Sequence, residues 1–271
     1  MLSLDSVSFR SGDRVLLDAV SFSLAPGQLY GVIGHNGAGK STLIRLLGGE
    51  LLPSSGAVLL DGAAVHAFSA KARARRIASL PQKLPDAADF LVRELVMLGR
   101  FPWQGWLQRP SPEGVAHVEA AMVQTDVARF AEQPVHTLSG GERQRAWLAL
   151  CLAQQSEVLL LDEPLAALDI VYQVEVLQLV RRLIAERGLT VVMIIHDINL
   201  AARVVASSVV ATLHTKPAFI EQLAKAKAEL RAPSATTRLM SACDCGFCLR
   251  KGPKESINAL PPSATPGLCW M

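Results

Sequence analysis

Gly34-His35-Asn36-Gly37-Ala38-Gly39-Lys40-Ser41-Thr42 is the stretch that decides the fold. It fits G-x-x-x-x-G-K-[ST], a phosphate-binding loop. Leu29-Tyr30-Gly31-Val32-Ile33 ahead of it reads as a short buried strand, and Thr42 to Leu47 behind it as the start of a helix. The motif needs that strand–loop–helix setting. Glycines let the backbone bend so that successive N–H groups converge on an anion, and the helix N-terminus adds its partial positive charge. Lys40 is placed to reach the β- and γ-phosphates of a nucleotide, and the Ser41 hydroxyl to hold Mg²⁺. The plain alternative is a glycine-rich turn before a helix.

Upstream, Leu2, Leu4, Val7 and Phe9 alternate with polar residues, and Val15 to Leu24 forms a second apolar series ending in the turn Ala25-Pro26-Gly27. These read as antiparallel strands, with Phe9 as a core aromatic. Downstream, Ala57 to Gly62 reads as a strand and turn, Lys71 to Arg76 as a basic helical patch on a solvated face, and Ile77 to Gln82 as a strand stopped by Pro81. Gln82 lies just past a buried strand end, where α/β folds place ligand groups. Spacing alone makes it an ordinary loop glutamine. Leu91 to Leu98 and Glu113 to Phe130 read as helices. Between them, Phe101, Trp103 and Trp106 are broken by Pro102 and Gly105. That cluster is either an exposed contact surface or a tryptophan-pinned loop packed on its own domain.

Leu138-Ser139-Gly140-Gly141-Glu142 opens a further helix with capping-box spacing, and its glycines leave the first N–H groups bare. The chain thus carries two anion-ready helix starts. One nucleotide is not easily gripped by both from within one domain, but two copies packed head to tail sandwich it. Glu157 to Leu161 is a continuous apolar run that ends in Asp162-Glu163 and reads as a doubly covered parallel strand. Asp162 is suited to hold Mg²⁺ beside the phosphate loop, and Glu163 to orient or deprotonate a water. Leu168-Asp169 starts a helix that Gly188 ends, and Thr190 to Ile195 is another buried strand with His196 and Asp197 at its end.

The totals fit one large domain or two small ones: 271 residues, half of them apolar. A net charge of +3 is too small to argue for nucleic acid. The start Met1-Leu2-Ser3-Leu4-Asp5 has no basic region or long apolar run, and no segment approaches the roughly 18 apolar residues of a membrane span. The expected place is therefore the cytoplasm, with membrane contact only through a partner. Five cysteines, one alone at 151 and four beyond residue 240, argue against a disulfide framework.

With these pieces in order, the chain resembles the ATP-binding subunits of ABC transporters over about residues 1 to 203. The signature Leu138 to Glu142 belongs essentially to that family, and it lies between the phosphate loop and the Asp162 strand as the family requires. The resemblance implies an α/β fold: a mainly parallel core sheet, an N-terminal antiparallel β layer, and a helical insertion at about 84–150. It also implies ATP and Mg²⁺ as cofactors. Gly34, His35, Asn36, Gly37, Ala38, Gly39, Lys40, Ser41 and Thr42 would hold the phosphates, with Ser41, Gln82 and Asp162 at the metal. Gln82 becomes the Q-loop glutamine, against its local reading. Glu163 becomes the general base and His196 the switch histidine on the γ-phosphate; with Lys40 and Gln82 they form the catalytic set. Asp169 becomes the D-loop acid that crosses to the other subunit. Ser139, Gly140, Gly141 and Glu142 cap the ATP held by the opposite copy of a homodimer.

Gly34 to Gly37, Arg93 to Val96, Gly99 to Trp103, Gly140 to Trp147 and His196 to Asn199 look, more narrowly, like the ATPases of iron–siderophore importers. The ferric hydroxamate branch is the nearest. Haem and cobalamin importers share the plan, and a soluble non-transport ABC ATPase is the alternative of a different class. This resemblance implies permease subunits in the membrane, a substrate-binding protein met only indirectly, no nucleic acid, and a peripheral place on the cytoplasmic face of the inner membrane. The aromatic cluster then reads as a docking feature.

Two departures stand out. Ser11 falls where the family often has an adenine-stacking aromatic. After Arg203 the family pattern stops, and the segment from 204 holds six of the fifteen prolines and four of the five cysteines, a composition unlike the rest. One hypothesis is a shifted reading frame that replaced the end. The expected tail, 204–271, is divergent and partly disordered, with a helix from Phe219 to Leu230. Cys243, Cys245 and Cys248 lack a fourth ligand at metal-site spacing.

Overall fold

Continuous apolar runs such as Val158–Leu161 become strands buried on both faces, because successive side chains point to opposite sides. The computed structural model describes residues 1–104, 110–166 and 168–195, and the backbone of 209–213. Trp106, His196, the Phe219–Leu230 helix, the cysteine cluster at 243–248 and the remainder of the expected tail lie outside the described residues.

In chain order the strands are β1 (Leu2–Ser11), β2 (Arg14–Leu24), β3 (Leu29–Gly34), β4 (Ser55–Leu60), β5 (Ala63–Ala64), β6 (Ile77–Leu80), β7 (Val158–Leu161), β8 (Thr190–Ile194) and β9 (Val209–Leu213). The helices are α1 (Lys40–Leu47), α2 (Ala70–Arg76), α3 (Val92–Met97), α4 (Pro112–Gln124), α5 (Gly140–Ala153) and α6 (Ile170–Arg187). The first sheet is antiparallel in the order β2-β1-β4-β5, and the second is wholly parallel in the order β6-β7-β8-β3-β9. This is the α/β architecture expected, with the antiparallel layer at the N-terminus.

The parallel sheet divides two cores. Leu159, Leu161, Val191 and Met193 enter one with α3, α4, α5 and α6, whereas Val158, Leu160, Val192 and Ile194 enter the other with α1 and the antiparallel sheet. Each such side chain contributes about 1.5–3 kcal/mol on full burial. Cys151 belongs to the helical side, where burial pushes its thiol up to about 12 and so keeps it protonated.

Several boundaries differ from expectation. The helix expected over Glu113–Phe130 stops at Gln124: Thr125 turns its hydroxyl back to the Ala121 carbonyl at 3.0 Å, and Asp126 adopts a left-handed φ of 55°. The basic patch at 71–76 is not simply solvated. Arg76 pairs with Asp61 and Glu157, and Lys71 and Arg75 donate to the carbonyls of Gln104 and Pro102 at 2.9 and 2.8 Å. These last two bonds, with the Trp103 indole donating to Gln154 O at 2.7 Å, pin the aromatic loop to its own domain. Phe101 and Trp103 nevertheless keep 55% and 42% of their surface exposed, so the loop also presents an apolar face. The sheet runs past residue 203: β9 pairs in parallel with β3, from Tyr30 with Val209 to Gly34 with Leu213.

Among the described residues, no helix is long and apolar enough to cross a membrane.

Candidate functional site

Parallel strands deliver their carboxyl ends to one edge of the sheet. Here β3 delivers the glycine loop, β6 delivers Gln82, and β7 delivers Asp162 and Glu163. Strand β8 lies between β3 and β7 and brings Ile194 and Ile195 to the same edge. These segments surround one cavity of about 770 Å³, whose lining includes Asn36, Gly37, Gly39, Lys40, Ser41, Thr42, Gln82 and Glu163.

The loop's shape requires its glycines. Gly37 and Gly39 have φ of 80° and 89°, and a Cβ on Gly39 would stand 2.9 Å from Leu16 O on β2. Gly39 also caps α1 without a side-chain bond, so the first N–H groups of that helix stay available to an anion. Lys40 is buried and donates to Gly34 O and His35 O at 2.9 and 3.0 Å. Burial pulls its ammonium below the ordinary range, while Glu163 and Asp162 pull the other way. Gly34 and Ala38 are buried parts of the loop's frame, and His35 turns outward with Nδ1 2.8 Å from Asn36 O.

One acid meets the loop directly and the other meets Gln82. Ser41 Oγ donates to Asp162 Oδ1 at 3.2 Å, and Gln82 Nε2 donates to Glu163 Oε2 at 2.7 Å. Glu163 holds a left-handed φ of 53°, a conformation that costs energy for a side chain of its size and recurs at functional sites. The carboxylate, hydroxyl and amide oxygens gathered here are hard donors, which suits Mg²⁺. Among the described residues there is no group of three His, Cys, Asp or Glu side chains for a metal held by protein alone. Magnesium fits regardless, since it commonly takes one or two carboxylates plus substrate phosphates.

The signature stands apart from this cavity. Ser139 caps α5, and the Ser139–Glu142 capping box is closed in both directions: Ser139 N donates to Glu142 Oε2 at 2.9 Å, and Glu142 N to Ser139 Oγ at 3.3 Å. The Ser139 hydroxyl also donates to Glu142 at 2.7 Å, and these bonds hold that carboxyl below its ordinary range. Asp169 is not among the cavity's lining residues either. Its carboxylate caps α6 by accepting from the N–H groups of Val171 and Tyr172 at 3.0 and 3.1 Å.

Residues that the motif reading did not single out complete the site. Arg14 and Leu16 line the cavity from β2, and Gln173 lines it from α6 while donating to Leu165 O and Leu168 O at 3.1 and 3.0 Å. Gln173 thereby ties down the segment that follows Glu163. None of the three sits in a local motif. Only the pairing of β1 with β2 and the start of α6 bring them in.

The sequence profile of the ABC transporter family matches residues 17–166. The chain is 46% identical to the achromobactin transport ATP-binding protein of Dickeya dadantii, over 77% of each chain. It is 43% identical to the iron(3+)-hydroxamate import ATP-binding protein of Bacillus subtilis, over 74% of this chain and 75% of that one. Its structure resembles the dimeric bacterial ABC transporter cassette MJ0796 at a TM-score of 0.69, with 28% identity over 79% of this chain and 94% of that one. With a glycine loop and an acid pair at one edge of a parallel sheet, and a separate capped Ser-Gly-Gly helix start, the chain belongs to the ABC transporter family of ATP-binding proteins.

Proposed function

We propose that this chain is the ATP-hydrolysing subunit of an importer for iron–siderophore complexes, nearest the ferric hydroxamate type. It works as a head-to-tail homodimer under membrane permease subunits, at the cytoplasmic face of the inner membrane. The observation that carries the ATPase reading is the convergence of Lys40, Ser41, Gln82 and Glu163 on one cavity, with Asp162 bonded to Ser41 behind it. The siderophore reading rests on relatives named for achromobactin and for iron(3+)-hydroxamate import. A substrate-binding protein would meet the permease rather than this chain. The ATP-binding unit is assigned to residues 1–203 with its helical insertion at about 84–150. Residues 204–271 are assigned to a divergent tail, from which β9 joins the sheet.

In this reading, phosphates replace the Gly34 and His35 carbonyls as partners of Lys40, and the first N–H groups of α1 take the remaining charge. Ser41, Asp162 and Gln82 would hold Mg²⁺, which would neutralise charge developing on the phosphates. Glu163 takes the proton of the attacking water, and Gln82, which donates to that carboxylate at 2.7 Å, is the neighbour that positions it. His196 is assigned to the γ-phosphate and Asp169 to the contact between subunits.

The second half of the site is assigned to the partner copy's signature. A Cβ built on Gly140 meets nothing within 4 Å, and its φ is not positive, so neither crowding nor backbone conformation within the chain requires a glycine there. An approaching phosphate does. The growth test is direct. A strain lacking this gene should lose growth on a ferric hydroxamate as sole iron source, and recover it with the parent gene but not with Glu163→Gln. Unchanged growth on that source, with loss on haem or cobalamin instead, would move the assignment to another importer.

A further inference from the structure

Glu163 sits in a conformation that a free chain avoids. Its φ of 53° is left-handed, and a residue of that size keeps such a φ only where its surroundings over-determine it. On its N-terminal side the constraint is the sheet: β7 pairs with β6, and Asp162 N donates to Leu80 O at 2.9 Å. On its C-terminal side the chain leaves the sheet and passes Leu165 and Leu168 on its way to Asp169, the cap of α6. Two turns close that stretch, from Ala166 N to Glu163 O and from Leu168 N to Leu165 O, both long at 3.2 Å.

Gln173 adds a tighter hold. It stands one helical turn beyond Asp169, with its N–H on Asp169 O at 2.9 Å, and it lines the cavity. Its Nε2 donates to Leu165 O at 3.1 Å and to Leu168 O at 3.0 Å. Both partners are carbonyl oxygens, which only accept, so the two hydrogens of one amide fix two points of one segment. Leu165 and Leu168 are buried, and Cδ2 of Leu168 would lie 3.2 Å from a Cβ on Gly141. The segment therefore hangs from α6 and rests against the start of α5. A glutamine is the side chain that suits this place. Glutamate has the length but only acceptors when ionised, methionine has no N–H or O–H to donate, and asparagine is one methylene short.

We propose that Gln173 is a positioning residue for hydrolysis: by fixing Leu165 and Leu168 it keeps Glu163 at the angle from which its carboxylate reaches the attacking water. It acts through the segment that follows Glu163 rather than on the nucleotide. The assignment rests on the ATPase reading and adds to it a residue that phosphate binding does not need.

The test measures ATP turnover and ATP affinity in the full chain, with rates taken per ATP-binding site. A parent protein that neither binds nor hydrolyses ATP would overturn the ATPase reading before Gln173 is touched. With turnover established, Gln173→Met should lower kcat about tenfold and leave ATP affinity within about twofold of the parent, because a small misplacement of a reacting group costs rate and not binding. Gln173→Glu, which sets a carboxylate against two carbonyls, should lose more. The double variant separates positioning from support of the fold. With Glu163→Gln already present, Gln173→Met should lower the residual rate by less than about twofold, since the group that it positions is gone. A residue that only held the fold together would cut the rate by the same factor in both backgrounds, or would lower the number of ATP sites per chain. Either result overturns the proposal, as does the parent's kcat in Gln173→Met or a smaller loss for Glu than for Met.

Discussion

Two helices of this chain begin at glycines, α1 after Gly39 and α5 on Gly140 and Gly141, and they end up in opposite situations. Helix α1 starts with no side-chain cap, inside a cavity that its own chain surrounds with Lys40, Gln82 and Glu163. Helix α5 starts at a closed capping box outside that cavity, where Ser139 and Glu142 satisfy one another and Gly140 faces open space. One helix start has its cavity walled by its own chain. The other is built to be stable without a ligand and still leaves room for one. The division assigns chemistry to the first region and assembly to the second, and it says that substitutions in the two should fail differently.

The largest effect belongs to the first region. Glu163→Gln should lower phosphate release by about 10²–10⁴-fold, the usual range for a general base, while leaving ATP binding intact. Turnover at the parent rate would remove Glu163 from the mechanism and leave the cavity without an assigned base. In the second region, Gly140→Asp in the Glu163→Gln background should abolish ATP-driven dimerisation, measured by light scattering, because the new carboxylate would face a phosphate. Monomer melting should not move, since nothing surrounds the position. A variant that still dimerised would erase the contrast between the two helix starts.

Smaller effects sharpen it. Ser139→Ala removes the cap and should cost about 1 kcal/mol of stability in urea, separable from any loss of dimerisation. The smallest is a pH effect at Glu142. Its folded-state carboxyl is held low by Ser139, so its contribution is present above the unfolded carboxylate pKa and is lost as pH falls through the lowered folded value. The gap between the parent and Glu142→Gln should be about 0.5 kcal/mol at neutral pH and close as the solution is acidified through the carboxylate range. A gap that widened in acid would reverse the assigned sign.

What the sequence made legible follows from what is local. The glycine loop, the acid-ended run at 158–163 and the capping box each declare themselves within ten residues, because the backbone geometry of each depends on its own neighbours. Gln82 did not. Only the β6–β7 pairing of Leu80 with Leu161 brings its amide beside Glu163. Arg14 and Gln173 were silent for the same reason. The early end of α4 was missed because Thr125 and Asp126 stop the helix by hydrogen bonding and a left-handed turn, without the glycine or proline that usually marks such a place. The basic run at 71–76 misled in another way. A run of charge signals solvent, whereas Lys71 and Arg75 use their donors to fasten the aromatic loop.

Strand β8, lying between β3 and β7, has a consequence for what the chain can accept. It sets the strands that carry the glycine loop and the acid pair two spacings apart, about 10 Å at the usual 4.7–4.9 Å each, a gap that the Ser41–Asp162 bond closes at 3.2 Å. Such a gauge changes only in whole strands, so no side-chain substitution resizes it. The spacing of the two strands is therefore a property of the sheet, and substitutions can retune the chemistry at either end without disturbing it.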